Sequence, residues 1–311
     1  MGILSHGKVI TVLQYFTDKI DDYWHILYPV VSKDKRDDDS YLYVLDISRK
    51  ALDYKGQFTS NGIYLFKGYD GHNHIYALEI SVYALASWLA WRKTKDDIWL
   101  DKALLHCDWL VQNQYPDGSW RMEHKNKKYN DLSIPWPSAL AQGLGISSLL
   151  RAYVFTKKVI YLDCAKQACN FLEVDIEQNG VKRVFEKGGL KSFIYEEYPR
   201  KELSGVLNGY ISAIFGIQEL ASYDLKYQKL FEKNMENLKK IMPLYDMGYW
   251  TYYSLDDTVA SGFYHRLVVK QLEILVDMDT EFTSSYTLFL SYQNDVFKRL
   301  KALQNKIRTY A

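Results

Sequence analysis

The chain predicts an all-α fold, an (α/α) toroid of about four helical hairpins forming an incomplete α/α barrel, and three observations carry that prediction. Residues 94–110 and 156–172 are copies of one another, with eight identities in seventeen positions at an offset of 62. An amphipathic segment precedes each copy, at 80–91 and 140–153, with apolar residues three and four apart. Two further pairs of such segments follow at similar spacing. A two-helix unit that cannot bury its apolar face alone must stack on its neighbours, one helix of each pair lining the middle and the other lying outside. An open α-solenoid is the alternative arrangement of the same units.

Residues 1–60 stand outside the repeat and read as an N-terminal extension, with the toroid domain at 61–311. The charged run at 33–40 reads as a solvated loop. Segments 41–45 and 61–66, rich in Tyr, Leu and Ile, suit short strands or a hairpin. In the first two units Thr94 and Thr156 stand where a helix N-cap is expected, and Gly118 and Gly180 follow at matching offsets. In the third, Leu207, Tyr210, Ile211, Ile214, Phe215 and Ile217 mark one face of an inner helix. Residues 227–241 form its partner, ending before Pro243 and an extended stretch at 248–253. Residues 265–276 and one long segment from 281 to 306 make the fourth pair.

An apolar fraction of 48% over 311 residues is ample for a core. With 39 basic against 38 acidic side chains, no bulk field points to nucleic acid or an acidic membrane surface. Cys107, Cys164 and Cys169 lack metal-ligand or redox spacing and suit buried packing. No secretory leader is visible, and no run reaches the roughly 18 apolar residues of a membrane span. A cytoplasmic location without a membrane span is therefore expected. Neither 68–71 nor 143–145 has the context of a phosphate loop, and His72 and His74 lack a third ligand. No nucleotide cofactor or metal is expected, and no Gly-x-Ser-x-Gly or Cys/His pairing points to a covalent nucleophile.

The chemistry is concentrated in tyrosines beside carboxylates: Tyr195, Glu196, Glu197 and Tyr198, then Tyr253, then Tyr264 with His265. A phenol ionises at a pKa of about 10, so at neutral pH it works as a donor or needs surroundings that favour the phenolate. The three places fall at equivalent points of the repeat, where loops at one mouth of a toroid converge. Such a set suits proton transfer at a carbon next to a carboxylate, as at C5 of a hexuronic acid. Return of the proton from the opposite face gives epimerisation, and loss of the C4 oxygen gives elimination. Asn208, His265 and Arg266 are donors near that mouth, able to blunt the charge of the enolate-like intermediate. An aromatic and basic stretch, Trp120, Arg121, His124, Lys125, Lys127, Lys128 and Tyr129, reads equally as a glycan track or a solvated loop.

The segments 136–153, 195–199, 206–209 and 243–246, then Tyr264-His265 with Gln271-Leu272, resemble in order and spacing the C-terminal domain of heparosan or heparan D-glucuronyl C5-epimerases. The resemblance covers about residues 62–276 and implies an (α/α) toroid acting on an acidic, uronate-containing polysaccharide, as a homodimer. It also implies catalytic roles for Glu197, Tyr198, Tyr253 and Tyr264 and a sugar-holding role for Asn208. The same motifs make Trp136, Gln142, Tyr195, Glu196, His265 and Arg266 candidate substrate contacts. Two positions depart from the family pattern: Asp256 stands where the family carries arginine, and Val268 where it carries a second histidine. Arg200, Lys201 or Arg266 would then have to supply the anion contact. A uronate lyase and a non-catalytic glycan-binding repeat are the alternative readings.

Overall fold

The computed structural model describes residues 6–17, 43–68, 71–126 and 128–309. The charged run at 33–40, the first two positions of segment 41–45, and Lys127 lie outside the described residues. The helices are α1 (His6–Leu13), α2 (Arg49–Leu52), α3 (Ala77–Thr94), α4 (Asp97–Gln112), α5 (Ala139–Thr156), α6 (Val159–Phe171), α7 (Leu207–Ala221), α8 (Leu225–Ile241), α9 (Gly262–Met278), α10 (Thr283–Asn294) and α11 (Val296–Thr309). Three antiparallel pairs join them: β1 (Phe66–Lys67) with β2 (Asn73–His74), β3 (Arg121–Met122) with β4 (Trp136–Pro137), and β5 (Lys182–Lys187) with β6 (Leu190–Tyr195).

The toroid follows from the burial pattern. Residues 77–90 of α3 and 139–152 of α5 are buried at every position, as a helix enclosed on all sides must be. By contrast α4 buries Leu100, Ala103, Cys107 and Leu110, a single stripe at helical spacing. Accordingly α3, α5, α7 and α9 pack side by side in that order as an inner layer, and α4, α6, α8 and α10 each lie against the inner helix they follow. The fold is all-α apart from the small two-stranded sheets, an incomplete α/α toroid.

The repeated threonine has a different task from the expected one. Thr94 donates to the Ala90 carbonyl (2.9 Å) and accepts from the Asp96 amide (3.3 Å), and Thr156 does the same with Ala152 (2.7 Å) and Lys158 (3.2 Å). Each threonine thus ends an inner helix, the next residue, Lys95 or Lys157, turning into the left-handed region at φ 60° and 59°. The cap of α4 is Asp96, which accepts from the Ile98 amide at 3.1 Å. The long segment at 281–306 is likewise corrected. It breaks at Asp295, whose carboxylate takes the amides of Phe297 (2.8 Å) and Lys298 (3.1 Å) and so starts α11 as a separate helix.

Tyr43, Val44 and Leu45 are buried in the main core instead of pairing as a strand, and the local pairing near 61–66 is a bridge from Phe58 to Tyr64 followed by β1. Residues before 61 are integral to the packing. Tyr15 stacks on Trp250 at 5.7 Å and donates to the Ala260 carbonyl, while Lys50 of α2 forms a buried ion pair with Glu79 of α3 at 2.7 Å. The β5–β6 hairpin was not foreseen. Its signal was Gly188-Gly189, both at positive φ (61° and 77°), a turn that matches the twist of the two strands it joins.

Where α5 crosses α7, the helices touch backbone to backbone. A Cβ at Gly143 would lie 2.6 Å from the Ser212 carbonyl oxygen and the Ala213 Cα, and one at Gly216 would lie 2.7 Å from the Gly143 carbonyl oxygen. Gly143→Ala is expected to lose about 1–3 kcal/mol by overpacking. An unchanged urea midpoint would show that the crossing yields freely.

Candidate active site

Hydrogen bonds between distant segments build one mouth of the toroid. Glu196 is fully buried, pairs with Arg183 at 2.8 Å and accepts from the amides of Ser204 (3.1 Å) and Gly205 (2.7 Å). This closes the β6–α7 connection into a compact loop. The loop is joined in turn to the segment before α9, since Leu207 donates to the Tyr253 carbonyl (3.2 Å) and Leu255 to the Ser204 carbonyl (2.8 Å). Ser261 caps α9 by accepting from the Tyr264 amide at 3.3 Å. Tyr198, Tyr253 and Tyr264 are thereby fixed relative to one another.

The rings fall into two groups. Tyr253 and Tyr264 pack at 4.7 Å between centroids, and Tyr198 packs on Tyr129 at 4.8 Å and on Trp136 at 5.8 Å. The Tyr198 phenol is pushed well above its ordinary range by burial first, then by the charge on Glu197 and by Tyr264. Burial does the same to Tyr253, with Glu197, Tyr198 and Tyr264 adding to it. Both phenols are therefore neutral donors at neutral pH.

Glu197 behaves differently. It is 4% exposed, one of its carboxylate oxygens has no hydrogen-bond partner, and burial lifts its pKa to about 7 although Tyr198 and Lys128 pull it back. Room for it exists because residue 209 is glycine, where a Cβ would stand 2.5 Å from the Glu197 Oε2. A carboxyl poised near neutrality beside neutral phenols can accept and return protons.

Cations surround this cluster. The Lys128 ammonium stands 4.6 Å from the Tyr129 ring centroid and 5.4 Å from that of Tyr253. Arg200 lies over Tyr129 at 4.4 Å, pairs with Asp131 at 3.0 Å and reaches Asp256 at 3.6 Å. Burial alone would raise the Asp256 carboxyl, but hydrogen bonds from Ser254 and Thr258 hold it below the usual range. Lys306 of α11 donates to the Val259 carbonyl, and burial with the nearby Lys128 lowers it to about 8. A cleft of about 820 Å³ opens beside the cluster, sharing Trp136, Pro199 and Arg200 with it and lined further on by Arg121, Arg183 and Lys201.

Several expected contacts lie elsewhere. Tyr195 is fully buried on the other side of its strand, bonded to Glu173 and Asn234. Glu196 is the loop clamp just described. Gln142 spends its amide on Gly118, Ala168 and Trp120. His265 is buried, stacked on Trp250 at 3.6 Å and bonded to Thr251 and Phe289; burial lowers its pKa to about 3, so it stays neutral. Arg266 holds the Gln14 carbonyl of the N-terminal segment. All five side chains make bonds within the fold. Asn208 has an unpartnered side-chain oxygen but lines a small cavity of about 30 Å³ inside the ring with Leu140, Leu144 and Gln271. Trp120 leaves the glycan track too, fully buried with its indole N–H on the Leu110 carbonyl. Trp136 remains, its ring against Tyr198.

The cations nearest the phenols were legible only in part. Lys128 stood within the basic stretch with nothing to separate it from its neighbours, and Lys306 sits in a helix whose sequence carries no sign of the site.

A family described as "D-glucuronyl C5-epimerase C-terminus" matches residues 112–291, more than half of the chain and the whole of the phenol–carboxylate cluster. A D-glucuronyl C5-epimerase of Caenorhabditis elegans is 33% identical over 165 residues, covering 48% of this chain and 26% of that protein. An uncharacterized protein of Methanocaldococcus jannaschii is 30% identical over 138 residues, covering 43% of this chain and 44% of that one. The matched stretches thus take in less than half of either relative's length. With a family match spanning Glu197, Tyr198, Tyr253 and Tyr264, the chain belongs to the D-glucuronyl C5-epimerase C-terminal family.

Proposed function

We propose that this protein is a polysaccharide uronate C5-epimerase, converting D-glucuronic to L-iduronic acid residues in a heparosan-like glycan. The observation that carries the reading is Glu197, a buried carboxyl with a pKa near 7, set among the phenols of Tyr198, Tyr253 and Tyr264. In this reading Glu197, beside Tyr198, removes the C5 proton from one face of the ring. Tyr264 delivers a proton to the other face, and Tyr253 positions it by ring contact. The enolate-like intermediate carries a second negative charge on the uronate carboxylate, which a nearby cation and neutral phenol donors stabilise. The cleft beside Trp136 and Arg200 offers space for the sugars flanking the reacting unit. A homodimer is part of the same proposal, on family grounds alone.

Incubation of heparosan with the protein in deuterium oxide, followed by proton NMR, tests this. Deuterium at C5 and new iduronate signals are expected. An ultraviolet-absorbing unsaturated product would instead make the protein a lyase, and no change in any glucuronate polymer would remove the catalytic reading.

A further inference from the structure

Among the cations at the site, most are already spoken for. Arg200 is shared by Asp131 and Asp256, Arg183 is held by Glu196, Lys306 donates to a backbone carbonyl, and Arg266 is tied to Gln14. Lys128 differs. Among the described residues its ammonium makes no ion pair or hydrogen bond, and it stands over the faces of Tyr129 and Tyr253, on the loop between β3 and β4. Tyr253 in turn packs on Tyr264, so this ammonium borders the pair of phenols on which proton delivery was placed.

We propose that Lys128 is the cation that receives the uronate carboxylate and so selects an acidic sugar over a neutral one. This rests on the reading of the cluster as a uronate site. Two ring faces hold the ammonium without satisfying its three N–H donors, and an incoming carboxylate supplies the missing acceptors. Lys128 is exposed, and Asp256 and Glu197 favour the charged form of its ammonium, so a cation open to an incoming carboxylate stands over the Tyr253 ring. A point charge there also opposes the second charge that develops on the carboxylate as C5 loses its proton, which ties recognition to rate. Because Glu197 lies within the field of the same ammonium, the cation is close to the group that removes the proton.

The test compares a glucuronate-containing heparosan oligosaccharide with the same oligosaccharide after chemical reduction of its carboxylates, binding being measured by titration calorimetry on wild type, Lys128→Met and Lys128→Arg. Wild type is expected to prefer the acidic ligand. Lys128→Met should lose that preference by tenfold or more while keeping its affinity for the reduced ligand, and Lys128→Arg should restore most of it. Wild type that exchanges C5 protons while Lys128→Met keeps full preference overturns the assignment of Lys128 alone. Wild type that exchanges no C5 proton and binds neither ligand overturns the uronate reading, and this inference with it.

Discussion

Tyr264→Phe should slow conversion of glucuronate to iduronate residues by about 10²–10⁴-fold, the usual weight of a positioned proton donor. The ring contacts to Tyr253 at 4.7 Å and to Phe263 at 5.1 Å survive in phenylalanine, so the variant should fold normally. Loss of rate would then be loss of the hydroxyl. One-sided exchange offers a sharper view: if Glu197 still removes the proton and no partner returns one on the other face, label can enter glucuronate without any iduronate forming. Full iduronate formation by this variant would remove Tyr264 from the mechanism.

Glu197→Gln should have two effects of opposite sign. Catalysis is lost with the base. Stability rises at alkaline pH, because burial has placed the folded pKa near 7 against 4.5 for the free side chain. Between those values the folded protein holds a proton that the unfolded chain releases, so the wild type becomes less stable as pH rises through that window. Below it the carboxyl is neutral in both states and the penalty vanishes; above it the penalty is complete, about 3 kcal/mol. Denaturant unfolding at pH 4.5 and pH 8 should therefore show the variant equal to wild type at the first and more stable at the second. A gap that does not depend on pH would mean that Glu197 ionises normally. The wild-type rate should fall about tenfold per pH unit below an apparent pKa close to 7.

The repeated units could be read from sequence because apolar residues recur at helical spacing in both helices of a pair, even though the enclosed helices also bury polar groups such as Glu79, Gln142 and Arg151. The seventeen-residue copies marked the joint between them, though not the role of the threonine, since a hydroxyl at a helix boundary serves the end before it as readily as the start after it. The phenols and Glu197 were legible because they fall on the connections between units. Their neighbours were not. Whether Tyr195, Glu196 or Glu197 meets the site depends on which way an extended segment turns its side chains, and that is fixed by Arg183 on β5 and by the Ser204 and Gly205 amides. His265 and Gln142 look like donors for a ligand until Trp250, Thr251, Gly118 and Ala168 are seen to occupy them. Lys128 and Lys306 approach the site from segments 178 positions apart, a proximity that no local pattern encodes.

The two adjacent acids at 196 and 197 divide anchoring from reactivity between consecutive peptide units. Removing a single residue just ahead of Glu196 would bring Glu197 to the Arg183 clamp in its place. The segment should consequently accept changes of side chain at its exposed positions, Lys201 and Glu202, far more readily than any change in its length. Inheritance of the proposed activity then hangs on the spacing of the loop as firmly as on the identity of its tyrosines.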